Sequence, residues 1–142
     1  MAANTLPIFP LTPVNWNIWI ASQVTPRVIT TQAPVLLGTA GKNGTLIHTL
    51  FIQHLGANAA TVARLYHKDE TEAIFCLIAE LTLPGITAAT ETGGLDTLKF
   101  NLPDILPTGN KGLHLAPNTS LYMGLGSAIT PGIQVWALGG NY

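Results

Sequence analysis

The chain has 142 residues and a formal net charge of -1, from six Lys and Arg against seven Asp and Glu. It has neither a basic excess to neutralise phosphates nor an acidic tail, so nucleic acid is not an expected partner. Hydrophobic residues make up 47% and charged residues 9%, where an average soluble protein has roughly 25% charged; this balance excludes intrinsic disorder and predicts that other chains cover much of the surface.

The length fits one domain. Residues 1–32 carry Pro7, Pro10, Pro13 and Pro26 and show no helical period. Proline fixes φ and biases the residue before it to extended backbone, so this segment is predicted to be an extended N-terminal arm with a strand only over 15–24. In an extended chain Trp16, Ile18 and Ile20 share one side, and Asn15, Asn17 and Trp19 the other. Prolines interrupt residues 1–10, which lack basic residues, so they do not read as a secretion signal. No stretch supplies the about 20 apolar residues of a spanning helix, and no membrane partner is expected.

Residues 33–142 are predicted to form a β-sandwich domain. Runs rich in β-branched and aromatic residues at 35–40, 45–55, 61–67, 73–83, 95–102, 120–126 and 132–138 are separated by turn residues. A spacing of roughly 8 to 12 residues between turn signals marks an antiparallel sandwich or barrel. The first two runs flank Asn43-Gly44, a hairpin signal. The run 73–83 also contains the helix formers Leu77, Ala79, Glu80 and Leu81, but Ile74, Phe75 and Ile78 favour a strand.

Several runs are apolar on both faces. In 45–55, one face would hold Leu46, His48, Leu50, Ile52 and His54, and the other Ile47, Thr49, Phe51, Gln53 and Leu55. In 73–83, Ile74, Cys76, Ile78 and Glu80 oppose Phe75, Leu77, Ala79 and Leu81. Antiparallel sheets normally solvate one face. Either loops and the arm cover the second face or another subunit does. The subunit reading is preferred, with Leu50, Ile52, Ile74, Ile78 and Trp136 as the self-association face.

No catalytic constellation stands out. His48 and His54 would lie about 20 Å apart along one strand at ~3.3 Å per residue, too far to share a metal. Asp69, Glu70 and Glu72 cluster in one loop beside Lys68 and read as a solvated tip. No serine sits in a G-x-S-x-G elbow. The single cysteine, Cys76, excludes an intrachain disulfide and is expected to be a buried thiol. Neither enzymatic activity nor any metal or cofactor is expected. Trp16 and Trp19 point to opposite sides, which argues against a shared sugar platform, and Trp136 reads as core or subunit interface. Large aromatics on a Pro-rich arm suit docking, so Phe9, Trp16, Ile18 and Trp19 are the candidate partner-binding residues.

The runs Gly44-Thr-Leu-Ile-His-Thr-Leu-Phe-Ile-Gln53, Ala59-Ala-Thr-Val-Ala-Arg-Leu-Tyr66 and Ala79-Glu-Leu-Thr-Leu-Pro84, with the ending from Leu121-Tyr-Met-Gly-Leu-Gly126 to Trp136-Ala-Leu-Gly-Gly-Asn-Tyr142, resemble small structural proteins of tailed bacteriophages. The resemblance covers roughly residues 34–142 and rests on strand and turn patterns. It implies an all-β, antiparallel jelly-roll-like sandwich acting as a capsid cement or decoration protein. The implied partners are the major capsid protein and further copies of the chain in a homotrimer, on the capsid surface of a virion assembled in the host cytoplasm. A tail or head-fibre adhesin that binds host glycan is the alternative.

Overall fold

A computed structural model describes residues 12–29, 33–86, 97–102 and 111–142. The fold is all-β. Nine strands are described: β1 (Thr12–Ile20), β2 (Val35–Thr39), β3 (Thr45–His54), β4 (Thr61–Asp69), β5 (Cys76–Leu83), β6 (Thr97–Lys99), β7 (Leu113–Leu115), β8 (Thr119–Leu125) and β9 (Ile133–Asn141). They form two antiparallel sheets packed as a β-sandwich. The first has the order β1-β9-β3-β6, with β7 also on β3; the second has the order β2-β8-β4-β5. The pairs nest: β1 with β9, β2 with β8, β3 with β6 and β4 with β5. The chain is in effect one long hairpin doubled back on itself and wound across both sheets.

Strands β1 to β4 alternate between the sheets, which corrects the hairpin expected at Asn43-Gly44. The turn is present, with the Gly44 N–H donating to the Gly41 carbonyl and Gly44 at φ 96°. What overrides the hairpin is how each flank is held. Ala40 N–H donates to Thr119 O beside β8. Thr45 hydroxyl donates to Asn141 Oδ1, and Thr45 pairs with Asn141 of β9 and Leu115 of β7. The turn therefore carries the chain from one sheet to the other.

Alternation along each strand sends one set of side chains into the gap between the sheets. Ile47, Ile52, Leu65, Leu121, Leu125, Ile133 and Val135 are fully buried there, with Val14 and Ile20 of β1 in the same core. Two members of the expected self-association face, Leu50 and Ile52, belong to this core and cannot meet another subunit. The two-sided look of 45–55 has a physical cause. A bulge in the β3–β9 register between Ile47 and Thr49 inserts an extra residue, exposes His48 and turns both Ile47 and Leu50 inward.

The strand expected at 15–24 runs instead from Thr12 to Ile20, paired with β9 over its whole length. Residues 12–20 are thus an integral strand of the first sheet rather than part of an arm. Residues 1–11, Phe9 included, lie outside the described residues. The segment 73–83 resolves as a strand from Cys76. Cys76 is exposed, not buried, because it opens the outermost strand of the second sheet at an outward position.

The chain after β1 becomes a strap over the second sheet. Val24 bridges to Leu125 through backbone hydrogen bonds of 2.9 Å on both sides. Beyond it, residues 25–27 cross the outer face of β8, β4 and β5 in turn. Thr25 lies against Gly124, where a Cβ would meet its hydroxyl at 1.6 Å. The buried Tyr66 hydroxyl donates to Pro26 O at 2.8 Å, and the Arg64 guanidinium donates to Thr25 O. At the far end Arg27 and Arg64 both donate to the Glu80 carboxylate, each Nε at 2.9 Å. The strap thus covers Tyr66 and Gly124 on the outer face of β4 and β8, while Ile74 and Ile78 of the 73–83 run stay exposed.

These hydrogen bonds hold the Glu80 carboxyl below its ordinary value, those from Arg27 first and from Arg64 second. A depressed carboxylate contributes stability above its unfolded value, about 4.3 for Glu, and loses it as pH falls through the lowered folded value. The strap is therefore expected to loosen selectively below about pH 4. Thermal melts between pH 6 and pH 3 should show a steeper loss in the native chain than in Glu80→Gln; equal slopes would contradict this.

Candidate functional site

The groups most able to do chemistry are dispersed. Among the described residues there is no cluster of three or more His, Cys, Asp and Glu side chains that could hold a metal ion. His48 is exposed beside the bulge, its Nδ1 3.0 Å from the Thr49 hydroxyl. His54 points into the core, 1% exposed, and neither ring nitrogen has a hydrogen-bond partner. His114 stacks on Tyr142 with ring centres 5.9 Å apart and Nδ1 3.2 Å from its hydroxyl.

In the acidic loop, Asp69 accepts from the Thr71 N–H at 2.9 Å and the Thr71 hydroxyl at 2.7 Å, which lowers its carboxyl below the ordinary value. An open hollow of about 400 Å³ lies beside it, lined by Thr39, Lys68, Asn118, Ser120 and Tyr122 as well as Asp69 and Glu70. A smaller one of about 180 Å³ lies at the other sheet near His48, Thr49, Lys99 and Lys111.

The proposed partner-binding row of Phe9, Trp16, Ile18 and Trp19 is not one surface. Trp16 and Ile18 face inward and pack on the core. Trp16 takes the space that a side chain at Gly38 would need, its ring atoms 2.0–2.5 Å from a Cβ placed there. Trp19 alone faces outward, 61% exposed, with its indole N–H donating to Pro131 O at 3.2 Å. The aromatic side chains were separated by the alternation that the sequence already implied: in a strand, positions three apart cannot share a face.

The first sheet instead gathers a different set on its outer face. Phe51 of β3 and Trp136 of β9 are register partners, with ring centres 6.2 Å apart and planes within 9°. One row further along, Trp19, Gln134 and Gln53 stand opposite one another across β1, β9 and β3. Gln134 Nε2 donates to Asn17 Oδ1 at 3.2 Å, tying the two rows together. From the sequence, Trp19 is compared with its near neighbour Trp16, and Trp136 is assigned to core or subunit interface without being grouped with Trp19, whose face it shares. The visible signal was the alternation Gln134, Trp136, Leu138, which has the same phase as Asn15, Asn17, Trp19 once β1 and β9 pair.

Of the remaining self-association candidates, Trp136 is half-buried on this outer face, while Ile74 and Ile78 are 71% and 42% exposed at the β5 margin of the second sheet. The structure thus divides the five between the core, the first sheet and the far edge of the second. No protein-family model, curated protein or solved structure matches the chain.

Proposed function

We propose that this chain is a structural virion protein, a capsid cement or decoration protein that binds the assembled phage head, bridges major capsid subunits and associates with itself as a homotrimer. The observation that carries the reading is the nested strand pairing, β1 with β9 through β4 with β5, which supports a jelly-roll-like sandwich of the kind the sequence resemblance implies. Such a scaffold offers surfaces rather than a cleft. Its exposed apolar groups, Ile74 and Ile78 at the β5 edge among them, suit contact with neighbouring subunits, and the scarcity of charge fits a surface that other chains cover.

Mechanistically, a protein that binds only the completed shell stabilises it by mass action, without an active site. The test is co-sedimentation of the purified full chain with phage heads lacking it, read alongside the thermal rupture of the heads. Saturable occupancy and a higher rupture temperature are expected. Sedimentation equilibrium of the free protein should report three chains per particle. Absence of head binding, or a monomer at micromolar concentration, would overturn the corresponding half of the proposal.

A further inference from the structure

The outer face of the first sheet has a composition that the shell-binding role does not explain. It combines rigid aromatic rings with neutral amides. Trp19 is 61% exposed and spends its only donor on Pro131 O, so what it offers a ligand is ring surface rather than an N–H. Phe51 and Trp136 lie near-parallel beside it. Between and around these rings run Asn17, Gln134 and Gln53. The single amide-to-amide bond from Gln134 to Asn17 leaves Gln134 Oε1 and the Asn17 NH₂ available, since each side-chain amide has both a carbonyl and two donors. No charge lies within these two rows across β1, β9 and β3, and Lys99 on the short β6 borders them.

We infer that this face binds a flat, neutral glycan chain. Aromatic faces carry negative quadrupole density that attracts the polarised C–H groups on the face of a sugar ring, and neutral amides match sugar hydroxyls, each both donor and acceptor. A nucleic acid or acidic polymer would call for cations, which this face lacks at its centre. Phe51 and Trp136 are stacked on each other and half-buried, unlike the protruding anchors that seat in a protein partner's pocket. Three adjacent strands give the platform a width of about 10 Å at 4.7–4.9 Å per strand, room for more than one sugar ring. The face lies on the opposite sheet from Ile74 and Ile78, so shell binding through that edge leaves it free.

The experiment is a ¹⁵N-edited NMR titration of the full chain with chitohexaose and with cellohexaose, up to about 10 mM, which reveals dissociation constants of millimolar order. Saturable shifts are expected at the indole N–H of Trp136 and the side-chain amides of Gln53 and Gln134, with the core Trp16 indole unmoved. Trp19→Ala, an exposed position, should weaken binding about tenfold, the cost of one aromatic contact. Trp136→Ala should do the same, and an unchanged backbone spectrum certifies each fold. No shift with either hexasaccharide would overturn the inference, as would shifts that persist unaltered in both variants. Loss of head binding in Trp19→Ala, with no glycan shift in the native chain, would assign the face to the shell instead. Glycan binding without head binding would leave this inference standing and remove only the structural-virion reading.

Discussion

Deleting residues 1–20 is expected to unfold the protein, whereas deleting residues 1–11 leaves a cooperatively folded chain. The longer deletion removes β1, and with it the inward side chains Val14, Trp16, Ile18 and Ile20. Burying a large apolar side chain contributes about 1.5–3 kcal/mol. Even with Trp16 and Ile18 only partly buried, the loss is on the order of 5 kcal/mol, within reach of the whole stability of a domain, about 5–15 kcal/mol. It also uncovers the full β9 edge, nine register positions that β1 now pairs, and a bare edge invites aggregation. Circular dichroism melts and NMR dispersion separate the two truncations. A cooperative transition at the native temperature in the 1–20 deletion would show that β1 is dispensable. The distinction matters for function, because head binding by residues 1–11 can be judged only in a chain that keeps β1.

Gly139→Ala should be nearly as damaging. A Cβ at this position would stand 1.9 Å from Leu46 O and 2.9 Å from both Leu46 C and Ile47 Cα. All three are backbone atoms of β3, held on its other side by β7, which pairs with Leu46 and Ile47. Overpacking usually costs about 1–3 kcal/mol because side chains rearrange; here no side chain can yield, so about 3 kcal/mol or more is expected. The internal control is Gly124→Ala, whose Cβ meets the Thr25 side chain. That clash can be relieved by lifting the strap, at a cost nearer the lower end of the same range of about 1–3 kcal/mol. Matched denaturant titrations would measure both. If Gly139→Ala proved no worse than Gly124→Ala, the close approach of β9 to the bulge would be in doubt.

The elements themselves were largely readable in the sequence, because β-branched runs between Gly, Pro and Asn clusters dictate strands locally. The fold class followed from their spacing. What sequence could not supply was phase and partner. One bulged residue at His48 turned a regular alternation into a misleading two-faced strand, and so placed Leu50 and Ile52 on the wrong side. Asn43-Gly44 fixed a turn but not the sheet its flanks would join, which Thr45 and Asn141 decide from opposite ends of the chain. Pro26 suggested an arm, yet it is the acceptor for Tyr66, whose demand for a partner is invisible until β4 is buried. The short β7 has three residues and, among the described residues, pairs with β3, too little pattern to detect.

The candidate site was legible in its residue types but not in their grouping. Trp19 stood out as an outward aromatic. Its companionship with Trp136 depends on β1 and β9 becoming neighbours, a fact of topology rather than of local propensity. Ile74 and Ile78, read from the sequence as part of a self-association face, are exposed at and just before the outermost strand of the second sheet.

The nested pairing also sets the order in which the molecule can be completed. Among the described strands β1 is made first and β9 last, and β9 is the one that pairs with β1. Contacts between such distant parts of a chain form slowly, since loop-closure entropy is lost before they form. During that interval Trp16, Ile18 and Ile20 have no core to enter, and the nascent chain is most exposed to wrong association just before it can close. β9 is therefore the strand that locks β1 into the first sheet.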